Sequence, residues 1–343
     1  MKPIPLIRSD GALGFVEFLA DAGVPTERLW ARTGLPPRAL FEPDRLIPLQ
    51  LANRFIQDAA TDQGLPDLGL RVARRSGLER GGGKFGARVR RAPTLYKAFH
   101  TACVTVSTHN SGARYWLVEE GASVRFCRRF RGQEGDFRQS DLLLVALMID
   151  LVRAVAGPQW RPARIELQSG GAHELRDCEA FGEAQVEVGR PATSITLPRA
   201  LLSRALAPPA VSAAAVPILD ARDGCGPPVD FLPSLEVVIG TLLESGRADL
   251  VTAAKAAGTS VRSFQRRLTE LDASFSELVD RVRFRTASQL LEDSGVKIID
   301  IALALGYSDP AHFTRAFRRW TSLTPLEYRR HLPVHTNAAQ RSA

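Results

Sequence analysis

Along residues 1–204 the spacing of apolar positions changes repeatedly. Intervals of three and four, as at Leu51, Phe55, Ile56 and Ala59, predict helices over 12–22, 47–63 and 66–75, with another over 94–106. Alternation takes over at RYWLV (114–118) and SVRFCRRF (123–130), which flank EEGA as a hairpin would. FRQSDLLLVALMIDLVRAV (137–155) reads as a largely buried helix and ARIELQ (163–168) as a strand; AQVEVG (184–189) and ATSITLP (192–198) alternate again. Helices interleaved with a small sheet predict an α+β domain over 1–204. The segment 205–233, ALAPPAVSAAAVPILDARDGCGPPVDFLP, is rich in Pro, Ala and Gly and lacks amphipathic periodicity, so it is predicted to be a linker. Beyond it, residues 234–331 keep helical spacing only, which predicts an all-α domain; 332–343 is expected to be a flexible tail. Two helix starts are marked locally. Asp309 precedes Pro310, and Thr324-Pro325-Leu326-Glu327 has the form of a capping box with proline at the first helical position.

The all-α half contains a near-repeat. Ala254, Gly258, Phe264 and Leu268 are matched 48 residues later by Ala302 and Gly306, then, after one extra residue, by Phe313 and Phe317. These types suit a helix-turn-helix. The alanine lets two helices approach, the glycine relieves the turn, and the apolar pair docks the second helix. Each second helix carries cations on its other face: Arg262, Gln265, Arg266 and Arg267 in one, His312, Arg315, Arg318 and Arg319 in the other. Arginine reads guanine through paired hydrogen bonds and glutamine does so for adenine, whereas arginine near a helix end meets phosphate. On a single helix such a face is as readily explained by solvation; two copies on matching frames argue against that. FSELVDRVRFRTASQLLEDSG (275–295) is predicted to be one long helix, with Phe275, Leu278, Val279, Val282, Ala287, Leu290 and Leu291 inward. Nineteen of those residues at 1.5 Å each span about 28 Å, enough to hold two recognition helices near the ~34 Å between successive major-groove faces.

Length and charge add bounds. At roughly 150 residues per domain, 343 residues predict two or three domains. The net charge is +8, of which 230–343 contributes +2 from 15 basic and 13 acidic residues, and 1–229 contributes +6 from 30 and 24. Bulk charge therefore does not locate a nucleic-acid surface; the excess in 1–229 points to an anionic or carboxylate-bearing small molecule. No run approaches the ~18 apolar residues of a membrane span, and MKPIPLIRSDGALGF lacks the apolar region of a signal peptide. Cys103, Cys127, Cys178 and Cys225 are far apart and without metal-ligand spacing, which predicts a cytoplasmic protein with no disulfide framework, metal or cofactor.

Residues 234–331 resemble the DNA-binding domain of AraC/XylS-family transcription regulators. The resemblance rests on GTSVRSFQRRL, FSELVDRVRFRTASQLLEDSG and IIDIALALGYSDPAHFTRAFRRWTSLTPLEYRR. LANRFIQDAATDQGLPDLGLRVA and FGEAQVEVGRPATSITLPRALL resemble the effector-binding domain of one branch of the family, the arabinose-binding-domain type. The resemblance implies a non-enzymatic regulator, an activator, in which a sensor and dimerisation domain controls binding to double-stranded DNA or recruitment of RNA polymerase. Its base-reading positions fall on Arg262, Gln265 and Arg266, then on Ala311 and Arg315, with His312 adjacent. Ala311 departs from a polar reader, so the second helix is expected to read mainly through Arg315. Ser260, Arg267, Thr314, Arg318 and Arg319 are assigned to phosphate. Such a protein would be nucleoid-associated when bound.

GGGKFG (81–86) satisfies G-x-G-x-x-G, but the residues before it are charged, so a mobile loop is preferred to a dinucleotide turn, and KFGARVRR (84–91) is read as a solvated loop face. His173–Glu174 lacks a second histidine, and His100 and His109 are too far apart to share a metal. Tyr115, Trp116 and Phe126 are assigned to sheet packing, with one of them a candidate to line an effector pocket. Cys127 beside Arg128 and Arg129 raises the question of a lowered thiol pKa. Trp320 and Tyr328 are assigned to helix packing. Two rival functions stay open: an enzyme or alkyl-accepting domain fused to a DNA-targeting module, and a DNA binder needing no effector.

Overall fold

The structure is a computed structural model and describes residues 2–42, 44–131, 136–170, 181–207 and 226–332. The chain divides into two compact units, Met1–Ser234 with Ala256–Gly258, and Leu235–Lys255 with Thr259–Ala343.

The first unit is α+β. Strand β1 (Leu6–Arg8) is followed by α1 (Asp10–Asp21), α2 (Glu27–Thr33), α3 (Pro37–Phe41) and β2 (Leu46–Pro48), which pairs antiparallel with β1. Helices α4 (Leu49–Asp62), α5 (Leu68–Gly81), α6 (Gly83–Arg90) and α7 (Leu95–His109) lead to β3 (Ala113–Glu120) and β4 (Ser123–Phe130), the expected hairpin. Helix α8 (Arg138–Ala156) precedes β5 (Arg164–Glu166), β6 (Gln185–Glu187) and β7 (Thr193–Pro198). The sheet order is β3-β4-β7-β5-β6, antiparallel except between β5 and β6. One core joins sheet and helices through residues such as Phe99, Phe126, Met148, Ile165 and Ile195, with the Phe99 and Phe126 rings stacked at 4.2 Å.

Periodicity located the long helices and all five strands of the larger sheet, and missed β1, β2, α2 and α3. β1 and β2 have three residues each and α2 and α3 seven and five, all less than two periods of their own pattern. One expectation is overturned outright. GGGKFG and KFGARVRR form no solvated loop: residues 83–90 are helix α6. The glycine is required by proximity, since a Cβ at Gly86 would overlap the Leu78 carbonyl oxygen of α5. Helix α6 can thus lie close against α5 while turning Phe85 and Val89 inward.

The second unit is all-α. It takes the part of α9 (Phe231–Glu244) from Leu235 onward, then α10 (Leu250–Ala256) as far as Lys255, α11 (Val261–Glu270), α12 (Phe275–Glu292), α13 (Ile298–Ala304), α14 (Pro310–Thr321) and α15 (Pro325–His331). On α12, Leu278, Val279, Val282, Ala287 and Leu291 are buried as expected, while Phe275 and Leu290 are half-buried. Of the 205–233 segment, 208–225 lies outside the described residues; regular structure reaches into both ends, with Ala205 bridged to Thr94 and α9 starting at Phe231. Residues 333–343 of the expected tail also lie outside the described residues.

Candidate DNA interface and ligand cavity

The two repeats adopt the same local geometry. Gly258 and Gly306 have φ of +65° and +76°, the left-handed region where glycine carries no steric cost. Each turn is closed by the same backbone bond: Thr259 N–H donates to Ala254 O, and Tyr307 N–H to Ala302 O, both at 3.0 Å. Ala254, Ala302, Phe264, Phe313 and Phe317 are fully buried and Leu268 nearly so. Both second helices start on side-chain caps. Ser260 Oγ accepts from Ser263 N–H at 3.3 Å, and Asp309 Oδ1 from Ala311 N–H at 2.8 Å with Pro310 at the first position. Thr324 and Glu327 make the expected capping box, and the Thr324 backbone N–H holds the Glu327 carboxyl below its usual range.

With the apolar side fixed inward, the opposite face turns out. Arg262, Gln265 and Arg266 are exposed on α11, spaced three and four apart; Ala311, His312, Arg315, Arg318 and Arg319 are exposed on α14. Arg262 and Arg315 have no carboxylate within ion-pair reach among the described residues, which leaves their guanidinium forks available. Arg266 pairs loosely with Glu270 (3.6 Å), and Arg319 with Asp280 of α12 (2.8 Å). The residues assigned to phosphate are less uniform. Arg267 and Thr314 are half-buried, the Thr314 hydroxyl donates to Pro310 O at 3.0 Å, and the Ser260 hydroxyl is engaged at its cap. Behind α14, Phe284, Phe317, Trp320 and Tyr328 form an aromatic cluster, and Arg329 caps the end of α12 by donating to Leu291 O and Val296 O.

The first unit contains a cavity open to solvent, with about 990 Å³ of atom-free space when the open part is counted. Most of its wall is hydrocarbon from α1, α4, α5, α6, α7, α8 and the sheet, including Phe15, Ile56, Phe85, Leu147 and Met148. Polar atoms enter from Asn53, His109, Asn110, Tyr115, Arg128 and Ser140. The Arg128 guanidinium, 2% exposed, lies over the Phe130 ring at 3.9 Å and pairs through Nη2 with Asp141, while its Nε has no hydrogen-bond partner. Asp141 is fully buried and accepts from Thr193 Oγ1 at 2.6 Å and Ser169 N–H at 2.8 Å. His109 closes α7, stacks on Phe85 at 5.2 Å, and sets Nδ1 3.4 Å from Asp10 Oδ1. Burial lowers the His109 pKa, more than the Asp10 charge raises it, so the ring is neutral at pH 7.

Of the aromatic residues considered for a pocket, Tyr115 and Phe126 line this cavity; Trp116 does not. His109 and Arg128 were missed as site residues, because what marks them is burial, and burial depends on α1, α6 and α8 arriving from elsewhere in the chain. The thought of a reactive Cys127 is reversed: burial pushes its thiol up to about 12 in spite of the neighbouring arginines. Among the described residues no group of His, Cys, Asp and Glu is placed to hold a metal, and no helix is long and apolar enough to cross a membrane. His173, Glu174, Cys178 and Cys225 lie outside the described residues.

Comparison with known proteins supplies the context. A family model described as a helix-turn-helix domain matches residues 253–331, and one described as the N-terminal arabinose-binding domain of AraC transcription regulator matches 23–206. The chain is 27% identical to the HTH-type transcriptional regulator VirS of Mycobacterium tuberculosis, covering 94% of this chain and 96% of that one. It is 28% identical to the ornithine utilization regulator of Pseudomonas aeruginosa, with coverage of 93% and 94%. The solved structure of the transcriptional regulator CdpR from Pseudomonas aeruginosa aligns over 92% of this chain and 96% of its own with a TM-score of 0.39 and 19% identity.

Proposed function

Because the chain belongs to the AraC family of DNA-binding transcription regulators, we propose that a small molecule in the cavity of the first unit controls how the second unit holds promoter DNA. Its relatives are regulators, and it acts as one rather than as an enzyme. In this reading residues 1–204 sense and dimerise, 205–233 link, 234–331 bind DNA, and the protein works in the cytoplasm as an activator that recruits RNA polymerase. Arg262, Gln265, Arg266 and Arg315 read base edges, Ala311 and His312 lie against them, and Ser260, Arg267, Thr314, Arg318 and Arg319 set register on phosphate. Control is linkage: a ligand that binds one arrangement of the chain better than another shifts DNA affinity by that difference.

The observation that carries the DNA part is the pair of matching Ala–Gly–Phe frames, each offering an exposed cationic helix face. Selection of random DNA with the full chain, followed by footprinting and transcription with polymerase, tests it. Two protected half-sites about one helical turn (~34 Å) apart are expected. A single protected patch, or no enriched sequence, would sink the two-helix reading.

A further inference from the structure

We propose that the cavity of the first unit takes an uncharged amphiphile, an acyl or aryl hydrocarbon body carrying one carbonyl or amide head that lodges at Arg128. This rests on the reading of the cavity as the sensing site and adds its chemistry.

The walls select the body. Hydrocarbon side chains from six helices surround the space, and a sugar or other polyol would leave most of its hydroxyls without partners there. Arg128 selects the presence of a head. It is the charged side chain lining the cavity, and the protein uses its Nη2 while Nε has no acceptor. A buried donor without an acceptor is costly, and a ligand carbonyl would satisfy it.

The surrounding charges select a neutral head. Arg128 is already balanced by Asp141. Behind His109, and outside the cavity lining, Arg8 and Lys84 are balanced by Asp10 and Asp44: Lys84 Nζ pairs with Asp44, Arg8 Nη1 lies 3.6 Å from Asp44 Oδ1, and Asp10 Oδ2 accepts from the Lys84 backbone N–H at 3.1 Å. His109, between Asp10 and the cavity, is held neutral by burial. The positive balance of residues 1–229 therefore does not reach the cavity, and the anionic ligand expected from it is not favoured. A carboxylate entering would give up its hydration for a site of no net charge, whereas an amide gives up far less.

Isothermal titration calorimetry of the full chain at pH 7.5 with octanamide, octanoate and octylammonium tests this. Octanamide is expected to bind at least tenfold more tightly than either ion, and each methylene added from hexanamide to octanamide to tighten binding by about fourfold. Asp141→Asn leaves the Arg128 charge unbalanced and should reverse the order, octanoate then binding better than octanamide. Ala102→Leu, which fills part of the cavity, should weaken all three; circular dichroism melts of both variants check that they fold. Equal or tighter binding of octanoate by the unaltered chain, or no binding of octanamide, overturns the proposal. Octanamide that binds but leaves operator protection unchanged keeps the ligand class and removes the sensing role. Operator protection that answers to octanoate and not to octanamide keeps the sensing role and overturns the ligand class.

Discussion

The two units assemble their sites over very different distances along the chain. In the second, every residue proposed to meet DNA lies within thirteen positions of the glycine that turns its helix, and the way each helix faces follows from one buried stripe. In the first, the cavity draws on residues from Ile7 to Leu151, contributed by most of the helices and by the sheet. The cationic helix face is a property of a short segment docked by two aromatic or aliphatic residues. The cavity is a property of long-range packing, created where side chains stop short of filling the space. A change to the first kind of site should act through docking or direct contact, a change to the second through close approach and charge balance.

The largest expected contrast tests docking. Phe313→Ala removes a fully buried ring that contacts Tyr307 and Phe317, and should cost about 3–5 kcal/mol of stability in the second unit. DNA binding should vanish with it. Leu144→Ala, in the cavity wall, should cost roughly 1 kcal/mol, because that half-buried side chain already faces open space. Thermal melts of the two variants compare them directly; equal losses would mean that the cavity is in truth filled.

Next is close approach. Gly86→Ala forces a Cβ onto the Leu78 carbonyl oxygen, a backbone atom that cannot rotate away, so about 1–3 kcal/mol should be lost as α6 is pushed from α5. A melting temperature unchanged by the substitution would show that α6 has room to shift. This glycine also marks the limit of what could be read from sequence. GGGKFG looks like a loop because glycine disfavours helix, and only a neighbouring helix supplies the reason for it. Asp309 and Thr324 were legible as caps because a cap and its target are two or three residues apart. His109, three residues past the end of the helix predicted over 94–106, gave no local sign that Asp10 and Phe85 would surround it.

Third comes direct contact. Arg315→Ala should cost about 1–3 kcal/mol of affinity for the selected site if the guanidinium is bidentate to guanine, with little change on random DNA. Competition binding on both DNAs measures it, and an equal loss on both removes Arg315 from the base readers. His312→Ala should lose less, since the ring already has Asp309 at 3.9 Å as a neighbour on its own helix.

A smaller effect belongs to the cavity. His109 is buried and neutral in the folded chain with its pKa lowered, whereas the unfolded chain titrates it near its ordinary value of 6.5. The unfolded state therefore binds more protons, so the contribution is fully present above about pH 6.5 and is lost as pH falls through the folded-state pKa. The loss from this group cannot exceed about 1.4 kcal/mol per pH unit. His109→Gln should flatten the melting temperature between pH 7 and pH 5.5, above the range where ordinary carboxylates titrate. An unchanged pH profile would place the proton uptake on another group.

The smallest expected effect is the most diagnostic of how the cationic face divides its work. Arg318 sits one turn further along α14 than Arg315, is exposed, and feels the Glu327 carboxylate of the next helix. In the proposed reading its guanidinium follows the phosphate backbone rather than the base edges. Arg318→Ala should then weaken selected and random DNA alike and reduce the slope of log K against log salt by about 0.9, one released counterion. Arg315→Ala, by contrast, should leave that slope nearly unchanged while reducing specificity. Salt titrations of the two variants separate base reading from backbone tracking on one helix. If Arg318→Ala lowered specificity and left the slope intact, the two arginines would have to exchange roles, and α14 would lie rotated in the groove by about 60° from the orientation proposed, since three residues at 3.6 per turn fall that far short of a full turn.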